Sequence, residues 1–411
     1  MRSWASSAVQ VERGGSMRLE RVRVVGTGVW CVGGARLTLV GTHVVDGPYF
    51  GVNCAGSGSK VVMQGGSIRG TRGQGACVSC GVGGQVELSG VEVTFCAEYG
   101  IISLGKGSRM NMHGGRITEP GQYSGLLCAE GGEAKLRDVE IIDCHSCGVA
   151  CQDRGSKVAV QGGRNAGRGG VGFSCQNGGQ AEVWDVRIAE GEEDGVTVCG
   201  KGSKAALVGC HIAKADIGVA CKEGAVGVLQ GMEIVDCEEC GVYCHGTGSN
   251  VSVHGGRIAG SRDYGVSCIG DQQRAELRDV EIADCRLHGV AIGGRGTKAV
   301  VQGGRITGTK TLHGVQCSGG AHVNVRDVEI ADCKQCGVAV FQRGTEVVVQ
   351  GGRITGSKVY AGVQSSDGGR AEVRGVEIAD CNSYGLACYG GTIVHIGCTI
   401  SGCRAGSLRG C

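Results

Sequence analysis

Apolar residues in this chain alternate with polar ones over runs of only four or five positions. Val149 and Cys151 mark one run, Val158 and Val160 a second, Val139 and Ile141 a third. Such alternation sends one side chain inward and the next outward, as in a half-buried strand. No segment offers the helical spacing of apolar residues. Gly pairs and Gly-Ser or Gly-Thr steps separate the runs and suit tight corners.

The three runs recur as a set. A repeated tripeptide places its central residue at Glu92, Arg116, Glu140, Arg164, Arg187, His211, Glu233, Arg257, Glu281, Arg305, Glu329, Arg353 and Glu377, so 285 residues cover 12 intervals and the period is 23.75. A second landmark, Gly-Val-x-Cys, has its Gly at 16 positions between Gly28 and Gly385. The nonapeptide "VVQGGRITG" at Val300–Gly308 returns unchanged at Val348–Gly356, 48 residues or two units later. Three short strands per unit, each pairing with its equivalent one turn on, build three parallel sheets around one core: a parallel β-helix.

The pattern resembles the repeats of the pectin-lyase-like superfamily of right-handed parallel β-helices, from about Val22 to Cys403. The resemblance implies an all-β fold, a single right-handed parallel β-helix (solenoid) of about 16–17 coils. Residues 22–403 would form it, with a lead-in or partial coil over 1–21 and a tail over 404–411. For activity it implies little, since that superfamily mixes polysaccharide lyases and hydrolases with non-catalytic binding and scaffold proteins.

Stacked coils turn equivalent residues into ladders. The last position of Gly-Val-x-Cys accepts Cys, Val, Ile and Ser, as a small core site would. The Cys-x-x-Cys pairs Cys144/Cys147, Cys237/Cys240 and Cys333/Cys336 share one place in the repeat and read as inheritance; Cys144, Cys147 and Cys151 are the best zinc candidates, but no metal or cofactor is expected. Asp143, Asp236, Asp284, Asp332 and Asp380 recur at a corner where Asp can bond backbone N–H groups. His288 and His313 are the one His pair in adjacent coils at one position, too little for catalysis. The Gly-His-Gly and Arg-x-Pro-x-x-Arg patterns of pectinolytic relatives are absent, and no catalytic residue is expected.

Charge balance, 41 Lys and Arg against 39 Asp and Glu, gives no general reason to expect nucleic acid. No run approaches the ~18 apolar residues of a membrane span. The opening "MRSWASSAVQVERGGSMRLE" lacks the apolar stretch of a secretory signal, so the 26 Cys are expected to be mostly buried and reduced in an intracellular, cytoplasmic protein.

The tripeptide column alternates Arg and Glu from Arg257 to Glu377 and from Glu92 to Arg164. Alternation replaces repulsion between stacked like charges with weak attraction. It breaks at Arg164, Arg187 and His211, near Trp184, and these four are the candidate protein interface. The leading expectation is a non-enzymatic rod that scaffolds proteins of a larger intracellular assembly, such as a cytoskeletal one, whose partners cover the uncapped ends. The alternative is a carbohydrate-binding or polysaccharide-modifying protein of the pectin-lyase-like type. A third reading, a polyanion binder, rests on the corner column Lys60, Arg109, Lys157, Lys204 and Lys298, interrupted by Asn250 and Glu346.

Overall fold

The computed structural model describes residues 9–410 except 72, 74, 167, 168, 190 and 192; residues 1–8 of the expected lead-in lie outside it. Every regular element among the described residues is a strand. The fold is a right-handed parallel β-solenoid, with about 16 coils of about 24 residues. It falls into two compact units, Met1–Ala206 and Leu207–Cys411.

In the first unit the Gly-Val-x-Cys strands stack in register, Val29 on Val52, Val52 on Val78, and so on through Ile101, Leu126, Val149 and Phe173 to Val196. The second unit repeats this with Val219, Val242, Val266, Val290, Val315, Val338, Val363 and Leu386. These side chains are buried and form the core of each unit. Near the two ends, Val9–Val11 pairs with Val29–Val32, and Gly406–Arg409 pairs with Tyr384–Tyr389.

The two-coil period has three physical causes. The expected charge ladder exists: Arg116 pairs with Glu140 at 2.8 Å, Arg257 with Glu281 at 3.5 Å, Arg305 with Glu329 at 3.3 Å and Arg353 with Glu377 at 3.2 Å. These pairs are exposed, so each contributes below ~1 kcal/mol. Buried hydroxyls make a second ladder: Ser108, Ser156, Ser203, Ser249 and Thr345 accept N–H bonds from Gly83, Gly131, Gly178, Gly224 and Gly320 of the coil before.

The third cause is steric. Asp279 and Asp327 turn a corner with positive φ, and in the next coil Gly303 and Gly351 do so with φ of 61° and 63°. A Cβ on either Gly would overlap Oδ1 of the Asp before it, which favours Gly in the coil after each of these Asp residues. Gly303→Ala combines a left-handed backbone with this overlap and is expected to cost about 2 kcal/mol or more. A urea titration checks this, and Asp279→Gly should recover part of the loss by clearing the space. Equal losses in the two backgrounds would remove the overlap from the explanation.

Candidate functional site

Of the four residues expected to form an interface, Arg164, Trp184 and Arg187 lie in the first unit and His211 in the second. Arg164 and Arg187 are exposed and directly opposed on neighbouring strands. His211 belongs to the second unit, where its Nδ1 lies 3.0 Å from Oε2 of Glu233. Trp184 is in register with Gln161 and faces elsewhere, into a groove. Asn165, which stands between Ile141 and Ile188 in a core column, is buried. Its Nδ2 donates to the carbonyl of Gly172, while Oδ1 has no partner among the described residues.

The groove lies on the outer face of the second strand of six successive coils in the first unit and has a volume of about 670 Å³. Strand alternation supplies its lining: Val86, Met110, Ala134 and Val158 point into the core, and the residues beside them point out. Two outward columns result. One runs Val62, Glu87, Asn111, Lys135, Ala159, Glu182; the other runs Gln64, Ser89, His113, Arg137, Gln161, Trp184. By strand spacing the six coils span about 24 Å.

Charge is unevenly distributed along it. Glu87 is held by Lys60 at 2.8 Å, whereas Lys135 and Arg137 have no ion pair among the described residues. The second unit shows what the repeat does at this place. In "AELR" (Ala275–Arg278) and "AEVR" (Ala371–Arg374) the Arg bonds the Glu two residues before it. In "AKLR" (Ala134–Arg137) a Lys replaces that Glu, which leaves two adjacent cations facing the groove. His113 is one coil away, in register with Arg137.

Most of the cysteines are buried thiols, as the sequence leads one to expect. Cys151, Cys175, Cys244 and Cys268 are fully buried. Cys77, however, is bonded to Cys96, 19 residues on, and Cys388 is also in a disulfide. Cys77 and Cys96 lie on the first and last strands of one coil with Cα atoms 5.4 Å apart, a distance that suits a disulfide. Burial pushes the Cys144 thiol up to about 12 and raises Cys147 as well. Cys151 is raised by its bond to Cys175 and by burial. None of the three is a ready thiolate for zinc, and among the described residues no cluster of three His, Cys, Asp or Glu is placed to hold a metal.

Residues 76–258 and 264–409 match the family described as "Right handed beta helix region". No curated protein matches the sequence. Among solved structures the chain is similar to the periplasmic alginate epimerase AlgG, with TM-score 0.42 and 10% identity over 82% of this chain and 78% of that one. It is also similar to the A-module of the Azotobacter vinelandii mannuronan C-5 epimerase AlgE4, with TM-score 0.37 and 11% identity over 80% and 89%. A third is the catalytic unit of a GH87 α-1,3-glucanase from Streptomyces thermodiastaticus, with TM-score 0.33 and 12% identity over 92% and 63%.

These likenesses are of fold, and three expectations are corrected. The three named structures are two epimerases and a glucanase, and none is an intracellular scaffold; the scaffold reading and the expectation of no enzymatic activity are withdrawn. The cytoplasmic placement is withdrawn as well, since disulfides such as Cys77–Cys96 persist mainly in oxidising compartments. Regularity along the ladders does not amount to absence of chemistry. In a repeat protein a site needs only a few substitutions on an otherwise regular face.

Proposed function

The chain belongs to the right-handed β-helix family, and from that premise we propose that the groove of its first unit binds and modifies an extended, uronate-bearing polysaccharide. The observation that carries this reading is the unpaired doublet of Lys135 and Arg137 facing the groove, where the second unit has a neutralised Glu–Arg pair. Two cations side by side fit a carboxylate. Trp184 offers a ring face for a sugar, and Asn111, Gln161 and Ser89 offer hydrogen bonds along the line of the chain.

The chemistry best supported is proton transfer at the carbon next to the carboxylate. Lys135 and Arg137 neutralise the carboxylate, which lets it take up the electron pair left when that proton departs. His113, one strand spacing from Arg137, is the base that receives the proton. Return of a proton to the opposite face inverts the carbon; loss of the neighbouring glycosidic oxygen instead cleaves the chain. Hydrolysis by paired carboxylates fits less well. Glu87 and Glu182 are four coils apart, about 19 Å by strand spacing, against roughly 5–10 Å in glycosidases.

Incubation of polymannuronate or polygalacturonate with the protein in deuterated water tests this reading. Deuterium at the carbon bearing the carboxylate, or unsaturated chain ends, is expected, and both should vanish in His113→Ala. A polymer that binds yet acquires neither label nor unsaturation would remove the proton-transfer chemistry.

A further inference from the structure

We infer that the corner ridge bearing Arg154, Lys157, Lys201 and Lys204 is a second anion track, which holds the carboxylates that point away from the groove in the same bound chain. This deepens the groove reading and rests on it. All four side chains are exposed, and none has an ion pair among the described residues. They occur as two copies of one corner, "DRGSK" at Asp153–Lys157 and "GKGSK" at Gly200–Lys204. Two coils separate the copies, or about 10 Å.

The corners between them decide what the ridge can read. The intervening coil contributes neutral Asn177 and Gln180 at the same places, so the four cations form one patch. On the other side, Glu130 and Glu133 precede Arg154 and Lys157, and Glu133 pairs with Arg109. A carboxylate is therefore repelled from the ridge on the coil that carries Lys135 and Arg137, and attracted to it on the next. Other acids occur around it: Asp153 beside Arg154, Glu182 facing the groove, and Glu223 at the place of Lys201 in the next repeat of the sequence.

The backbone holds this pattern rigidly. Ser156 and Ser203, buried beneath the two corners, accept N–H bonds of 2.9 Å from Gly131 and Gly178. The cations thus rise from corners locked to the coil spacing. An extended 1,4-linked chain advances about one strand spacing per sugar, and with two-fold symmetry its successive carboxylates point to opposite sides. A chain lying along the groove with one carboxylate at Lys135 and Arg137 turns the next one toward Lys157 and Arg154. Its track then continues to Lys204 and Lys201. The ligand class is accordingly a linear glycan with acid groups on successive residues.

The test is calorimetric titration of an octameric oligouronate into the wild type and into the quadruple variant Arg154→Glu, Lys157→Glu, Lys201→Glu, Lys204→Glu. The same four positions changed to Gln provide a version without new charge. Binding should weaken by about tenfold or more with Glu and less with Gln, while each thermal midpoint stays near the wild type. An alternating hyaluronan octamer, charged on every second sugar, should bind the wild type more weakly than the oligouronate. Unchanged oligouronate affinity in the Glu variant, with binding still lost in Lys135→Glu, would overturn the ridge alone. No wild-type binding of any oligouronate would bring down the groove reading and the ridge with it. Single-stranded DNA of equal charge binding as tightly as the oligouronate would overturn the assignment to a glycan.

Discussion

Acidification from pH 7 to pH 4 is expected to strip stability from the second unit through two stacked imidazoles. His288 and His313 are 4% and 5% exposed and lie 5.4 Å apart, ring to ring. Tyr264 stacks on His288 at 5.6 Å, and Phe341 lies 5.7 Å from His313. Nδ1 of His288 accepts the N–H of His313, and Nδ1 of His313 accepts the N–H of Cys336. Each ring is therefore a neutral acceptor at Nδ1, and protonation there would break a buried bond and introduce an unpaired charge.

Burial lowers His288 to about 4 and His313 to about 3. Both values lie below the usual ~6.5 of an unfolded His, so the unfolded chain binds more protons as the pH falls. Stability is whole above pH ~6.5 and declines toward the folded values. By pH 4 each ring accounts for at most about 3 kcal/mol. Urea midpoints of wild type and of His288→Phe with His313→Phe provide the check. The double variant keeps an aromatic stack and should lose most of the drop between pH 7 and pH 4. The same drop in both proteins would show that carboxylates, not these rings, set the acid limit.

The second large effect is expected in the groove. Lys135→Glu rebuilds the Glu-x-Arg pattern of Ala275–Arg278 and gives Arg137 an internal partner. Oligouronate affinity should fall about a hundredfold, since one cation becomes an anion and the other is neutralised. Stability should stay the same or rise by less than ~1 kcal/mol. His113→Ala should behave differently, with binding nearly intact and turnover down by about 10²–10⁴. If both variants lost binding equally, His113 would be a contact residue and no base.

Much of this was legible in the sequence. The 24-residue spacing of Glu92 to Glu377 defines the coil, and the Arg–Glu alternation from Arg257 to Glu377 is the observed ladder. The corner aspartates Asp236, Asp284 and Asp380 were readable as structural, but the reason Gly follows each one coil later was not, because it depends on Oδ1 of Asp284 standing where a Cβ on Gly308 would come. The site was sought where the tripeptide column broke, at Arg164, Arg187 and His211. The groove proposed as the site lies in the other outward columns, whose members vary from Val62 to Trp184 and show no ladder to break. Its signal was present in one letter, the Lys of "AKLR" against the Glu of "AELR". What the letters do not show is that this face is concave, which is a property of the bend between strands.

The central claim is that an acidic chain lies along the coils, one sugar to each. Calorimetric titration of oligouronates of increasing length against wild type and Lys135→Glu tests it most directly. Affinity should climb with each added sugar until about six, the number of coils that line the groove, and then level off; Lys135→Glu should flatten the series. Affinity independent of length, or a series unchanged in Lys135→Glu, would contradict it.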